Sequence, residues 1–281
     1  VKWNLKKPIL FIAAFSLVLG WSVSAAADDE DALAAKIKLG WWQVSLQGDF
    51  YSDDEGTPGS TIKFDQKDFV DFDRSEATVV PELTLDVGPF RFNVSYWKFE
   101  FLADEIINVQ DFSFGGLDFP AAVTAGLTGS MFIEEIDVSL GFNLLEFTDT
   151  LDIWAGAGVR MYGIGGEFEA VSLIPMIVPE FEATRTERMP VPVIAGQAEA
   201  HISFLDAGIR GAWCNYRSES IETDINLYDV RLYAGISTDH FGVEVGYHFL
   251  RLDFAFGQFD KDPISFDGTL AGAYIFAVLK F

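Results

Sequence analysis

Apolar and polar residues alternate with a period of two along most of the chain, the signature of strands that show a different face to each side. In the last segment Phe281, Leu279, Ala277, Ile275 and Ala273 share one face. Near the start, Trp42, Val44, Leu46 and Phe50 oppose Gln43, Ser45, Gln47 and Asp49. Between them the pattern recurs eight times. Val79, Leu83, Leu85 and Val87 oppose Glu82, Thr84 and Asp86, and Phe90, Phe92, Val94 and Tyr96 oppose Arg91, Asn93, Ser95 and Trp97. Ile136–Phe142 sets its apolar face against Glu135, Asp137 and Ser139. Strands follow around Ile153–Met161, Ile194–Phe204, Ile209–Trp213 (the weakest), Tyr228–Ile236 and Phe241–Phe249. The count is about ten, with eight or twelve as alternatives.

The connections alternate in length. Short ones fall near 88–89, 143–150, 205–207 and 238–240, and Gly88-Pro89 is a tight-turn dipeptide. Long ones span about 51–76, 102–126, 165–192, 217–226 and 252–267. Gly115-Gly116 marks a hairpin turn inside the second long loop. Pro175, Pro179, Pro190 and Pro192 argue against paired central strands in the third, because proline has no N–H to give a ladder.

Two all-β architectures alternate in this way: a soluble sandwich with its apolar face inward, and a membrane barrel with it outward. Periodicity alone does not separate them. Short turns alternating with long loops, an even strand count and aromatic residues at strand ends favour the barrel. So does the N-terminus. Lys2, Lys6 and Lys7 precede an apolar run from Ile9 to Val23, and Ser24, Ala25, Ala26 and Ala27 follow. A charged region, a short apolar core and a small-residue site make a secretory signal peptide, with cleavage expected after Ala27. Residues 28–281 then form a single domain. The expected fold is all-β: a closed antiparallel up-and-down transmembrane β-barrel with long extracellular loops, in a bacterial outer membrane.

Composition narrows the chemistry. The formal charge is −24, and residues 1–27 hold three lysines and no acid, which leaves 16 Lys+Arg against 43 Asp+Glu. Binding to nucleic acid is excluded, since it needs clustered bases against phosphate. Hydrophobic residues at 49% exclude disorder. The single cysteine, Cys214, excludes an intramolecular disulfide framework.

The face expected to point inward is charged: Glu82, Asp86, Arg91, Glu135, Asp137, Arg160, Glu199, His201, Arg210, Asp229, Arg231, Glu244 and His248. Such groups fill a small barrel as cross-neutralised pairs or line a narrow pore. Glycines at 156 and 158 on that face leave room for either. The first long loop holds eight acids against Lys63, Lys67 and Arg74, a solvated face or a site for a bridging divalent cation. In the third, Val171, Leu173, Ile174, Met176, Ile177 and Val178 form an apolar patch that acts as a plug or receives an apolar ligand.

The end motif AVLKF, closing on Leu279 and Phe281, resembles the signal read by the barrel-assembly machinery of outer membranes. With the strand pattern, the chain resembles the small monomeric outer-membrane barrels, the group of the OmpA transmembrane domain, OmpX and OmpW. That resemblance implies a monomer in contact with outer-membrane lipid and lipopolysaccharide, delivered by periplasmic chaperones. Its role would be structural, surface-interacting or that of a small passive pore. Likeness to OmpW implies a facilitator for small hydrophobic molecules. Enzymes on this scaffold are a weaker match. His201-x-Ser203 is similar to the His-x-Ser of the lipid A deacylase family, and Glu199-x-His201 to the Asp/His pair of omptin proteases. Both would face inward at the periplasmic end, without the partners those families need. The three histidines, His201, His240 and His248, lack metal-ligand spacing. No enzymatic activity, cofactor or metal is expected.

Overall fold

The computed structural model describes residues 33–52, 61–63, 75–106, 112–114, 117–119, 124–147, 150–172, 181–218, 223–256 and 264–281. Residues 1–32, including the expected signal peptide, lie outside them. The strands are β1 (Leu33–Ser52), β2 (Thr61–Lys63), β3 (Ser75–Val87), β4 (Phe90–Ile106), β5 (Phe112–Phe114), β6 (Leu117–Phe119), β7 (Thr124–Phe147), β8 (Leu151–Ser172), β9 (Phe181–Ile202), β10 (Leu205–Ser218), β11 (Thr223–Ser237), β12 (Phe241–Phe256) and β13 (Ile264–Lys280). The ten long ones pair antiparallel in chain order, and β13 pairs with β1 to close the ring. Phe281 fastens the closure: its N–H donates to Ala35 O at 2.9 Å, and its carbonyl accepts from Ala35 N–H at 3.1 Å. β2 extends the edge of β1. β5 and β6 pair with each other in a separate two-stranded sheet, so the count stays at ten, and the turn expected at Gly115-Gly116 lies outside the described residues.

The wall is taller than a bilayer requires. A membrane-crossing strand needs about 9–11 residues, whereas β7, β8 and β9 have 24, 22 and 22. Much of the chain expected as loop is therefore strand. Strand takes up 165–172 and 181–192 of the third expected loop, 217–218 and 223–226 of the fourth, and 252–256 and 264–267 of the fifth. The turn expected at 205–207 lies at Ser203-Phe204, with Ser203 at φ 56°.

Side-chain polarity divides the wall into two levels. At the turn end, Leu39, Trp41, Phe92, Val138, Val159, Leu232, Val245 and Ile275 are exposed on the outside, while Lys38, Asn93, Asp137, Arg160, Arg231 and Glu244 are buried within. At the loop end the sense reverses. Leu46, Phe99, Phe101, Ile133, Phe168, Leu227, Leu252 and Phe266 fill the inside, and Gln47, Glu100, Glu167, Thr186, Asn215, Arg251 and Asp267 face out. The reversal corrects the sequence reading of the first strand. Trp42, Val44, Leu46 and Phe50 point inward, each at most 1% exposed, and Asp49 lies on the outer side. The cause is the medium: lipid receives apolar side chains, and water above it receives polar ones.

The boundary between the levels follows the strand register. On one side of the ring a cross-strand row runs Trp213, Tyr228, Arg251, Thr269, Gln47. On the other side Tyr96, Ile136, Met161 and Pro190 form the last apolar row. Directly above it come Lys98, Glu134, Gly163 and Arg188, with Arg188 to Glu134 at 3.1 Å. Aromatic residues ring the turn end, where Phe90 packs on Phe142 at 5.7 Å between centroids and Phe204, Phe241 and Phe281 are exposed. This is the girdled apolar belt of a membrane barrel.

Three prolines, at two seams, split the upper level into two sheets. Pro81 keeps its place in the β1–β3 ladder, opposite Leu39, but the β3–β4 ladder ends just below it at Glu82 and Ser95. Pro190 and Pro192 stay paired with β8, while the β9–β10 ladder ends at Ile194 and Trp213. Proline removes a donor from one side of a strand only, so each seam opens on that side. The sequence reading of Pro190 and Pro192 needs correction too: they stop one ladder and leave the strand intact, while Pro175 and Pro179 lie outside the described residues. Above the seams β4–β7–β8–β9 faces β10–β11–β12–β13–β1–β3 across an apolar core, the layering of a sandwich.

Candidate functional site

Outside the first strand, Glu82, Arg91, Glu135, Asp137, Arg160, Glu199, Arg210, Asp229, Arg231, Glu244 and His248 are buried inside the ring, and the pairing register turns those side chains into a cross-linked layer. Glu82 on β3 meets Arg231 at 2.9 Å, Arg210 at 3.4 Å and Lys38 at 4.0 Å. Lys38 also reaches Glu244 at 2.9 Å. Arg210 continues to Asp137 at 3.0 Å, and Asp137 to Arg160 at 3.6 Å. Arg160 binds Asp229 and lies 3.5 Å from Glu135. Asp229 pairs with His248 at 2.8 Å, and Trp97 donates its indole N–H to Glu135 at 3.1 Å. One network thus joins eight of the ten wall strands. Lys38 was absent from the sequence-based set because the alternation of β1 was read with the wrong sense.

A second cluster sits nearer the turn end. Arg91 forks onto Asp86 at 2.6 and 2.8 Å, reaches Glu199 at 2.8 Å, and stacks over the Trp154 ring at 4.2 Å. Tyr233 donates to the other oxygen of Glu199 at 2.5 Å, and Lys36 lies 3.6 Å from the oxygen that Arg91 holds. Bidentate arginine–carboxylate geometry of this kind fixes orientation as well as charge.

Aromatic rings occupy the space left by inward-facing glycines. A Cβ on Gly40 would lie 2.3 Å from the Phe276 ring, and one on Gly246 2.6 Å from Tyr274. In both cases the ring belongs to the directly opposed residue of the next strand. Gly156 and Gly158 work differently: a Cβ on either would strike the β7 backbone, so they allow close approach of strands and no opening. Beside Arg91, Trp154, Gln197 and Arg210 a cavity of about 20 Å³ remains, room for about one water molecule. Above the ionic layer Trp42 stacks on His248 at 4.1 Å and meets Trp97 and Phe99 edge-on at 5.5 and 4.9 Å. The interior is thus filled twice, by ion pairs at the belt and by apolar side chains above it.

The architecture is that of the small outer-membrane barrels. No family profile matches the chain, and no curated protein does. Among solved structures the chain is similar to the translocator domain of autotransporter NalP from Neisseria meningitidis (10% identity, 99% of each chain covered, TM-score 0.38). It is also similar to Ail, the attachment invasion locus protein of Yersinia pestis, in complex with the heparin analogue sucrose octasulfate (9%, 89% of this chain and 99% of that one, TM-score 0.35). A third is the outer-membrane protein OprG from Pseudomonas aeruginosa (12%, 90% and 99%, TM-score 0.34). At such scores these likenesses carry no argument about function.

The other expected sites divide as follows. Val171 is the second-last residue of β8 by its backbone, but its side chain and Leu173, Ile174, Met176, Ile177 and Val178 lie outside the described residues, as does most of the acidic first loop. Leu279 faces outward between Ile37 and Phe241, and Phe281 is 70% exposed. His201 stands at the mouth beside Asp206 and Asp152. Ser203, expected on the same face, lies in the turn, so the His-x-Ser pair does not share a strand surface. His248 belongs to the ionic network and His240 is exposed.

Proposed function

We propose that the protein is an integral outer-membrane barrel, closed to solutes, whose loop-end level stands outside the membrane as a folded platform for surface interaction. The observation that carries this reading is the doubly filled interior. A passive pore needs a continuous aqueous path, and the Glu82–Arg210–Arg231 junction and the Trp42 cluster both lie across it. The height of β7–β9 above the belt supports the platform, since strand beyond the bilayer is unnecessary for anchoring. The partners proposed are outer-membrane lipid and lipopolysaccharide around the belt, with periplasmic chaperones and the barrel-assembly machinery during biogenesis. The protein works as a monomer and without catalysis in this reading.

The test is conductance of the folded protein in a planar bilayer, with insertion checked by heat-modifiable migration. Silence supports the closed platform. Discrete, reproducible steps overturn it in favour of a pore. A second reading, a facilitator for small hydrophobic molecules, draws on the apolar upper core and on a cavity of about 20 Å³ between Tyr162, Ile164, Met189, Phe254 and Ile264. Uptake of an apolar probe by cells expressing the protein, reduced by Met189→Asp, would favour it. Uptake equal to that of barrel-free cells removes it.

A further inference from the structure

The turn-end mouth holds a group that the ion-pair layer leaves incompletely neutralised. Asp152 on β8 lies directly opposite Glu199 on β9, and His201 directly opposite Asp206 on β10. The cross-strand register therefore gathers four side chains that the spacing of histidines in the sequence does not reveal. His201 Nδ1 lies 2.8 Å from Asp206 Oδ1. A carboxylate there accepts the Nδ1 proton and fixes the tautomer, which turns the Nε2 lone pair outward. That lone pair faces Asp152 Oδ2 at 3.6 Å. Two electron-pair donors so placed repel each other unless a cation lies between them.

The surrounding charges support the same conclusion. Asp86, Asp152, Glu199 and Asp206 face Arg91, Lys36 and Lys280, four acids to three fixed bases. Arg91 serves Asp86 and Glu199, Lys36 serves Glu199, and Lys280 reaches Asp206 at 3.4 Å. Asp152 has His201 alone as an ionic partner among the described residues.

We propose that this mouth binds one divalent transition-metal ion of the zinc class, held by His201 Nε2 and Asp152, with Glu199 as the third ligand and water completing the shell. One ligand atom from each of the three residues lies within 4.8 Å of the others. Zinc–nitrogen and zinc–oxygen bonds of about 2.0–2.2 Å at a tetrahedral angle put two ligand atoms about 3.4 Å apart, close to the separation of Asp152 and His201. Imidazole with carboxylate selects zinc-like ions over calcium or magnesium. Asp206 is the positioning residue that orients the imidazole. Lys36, next to Glu199, repels a dication and holds the affinity to a moderate level. The bound ion would tie β8 to β9 at the mouth.

The test uses the purified full chain, folded in detergent and stripped with chelator, titrated with zinc chloride by calorimetry and with cobalt chloride by visible absorption. One saturable equivalent per barrel is expected, with a cobalt spectrum of low coordination number. Asp152→Asn and His201→Gln should each weaken binding at least tenfold while keeping heat-modifiable migration, and His240→Ala should leave it unchanged. No stoichiometric binding by the wild type would overturn the proposal. Equal binding by both variants would overturn it as well. Neither result bears on whether the lumen conducts.

Discussion

Glu82 on β3 and Arg210 on β10 stand five strands apart in either direction around a ten-stranded ring, yet their side chains meet at 3.4 Å. A contact between diametrically opposed strands crosses the lumen. Arg231 and Lys38 reach the same carboxylate from other strands. Glu82 is therefore the hub on which three cations converge.

Removing that hub should be costly. Glu82→Ala leaves three buried cations short of a partner, and breaking a buried pair from one side costs about 3–5 kcal/mol. Reversible unfolding of the lipid-inserted barrel in denaturant measures it. A loss below about 1 kcal/mol would mean that water already solvates these groups.

Membrane depth can be read by arginine scanning on the outer face. Val245→Arg, in the apolar belt, should destabilise the inserted barrel by about 2–4 kcal/mol, as expected near the bilayer midplane. Thr269→Arg, in the row that also contains Arg251 and Gln47, should change stability by less than about 1 kcal/mol. Equal penalties would move the membrane surface above that row.

The seam at β9–β10 is assigned to missing donors. Replacing Pro190 and Pro192 by Thr restores two N–H groups on the side facing β10. Hydrogen exchange should then slow over Cys214–Ser218, which lies beyond the present end of that ladder. Unchanged exchange there would place the cause in the packing of the apolar core.

Phe281 separates assembly from stability. Its ring is exposed to lipid, while its backbone closes β13 onto β1. Phe281→Ala should therefore leave unassisted folding into lipid vesicles nearly intact and lower the amount assembled in cells. Equal losses in both assays would make it an ordinary packing residue.

Alternation along the chain was enough to find ten strands, their closing segment and the charged face at the belt, because strand periodicity is local and lipid imposes one sense on it. The same alternation could not say which face of β1 is inside. Trp42 and Lys38 share a face, and only the height of each residue relative to the membrane decides what that face needs. The reach of the strands past 165 and 181 was hidden for the same reason, with prolines that break one ladder standing for a break in the strand. Glu82 with Arg210, and Asp152 with His201, are neighbours only through register and ring closure. A local pattern gives each residue a face. The tertiary structure alone decides whether that face meets water, lipid or the opposite wall, because the solvent changes along the barrel and the partners come from distant strands.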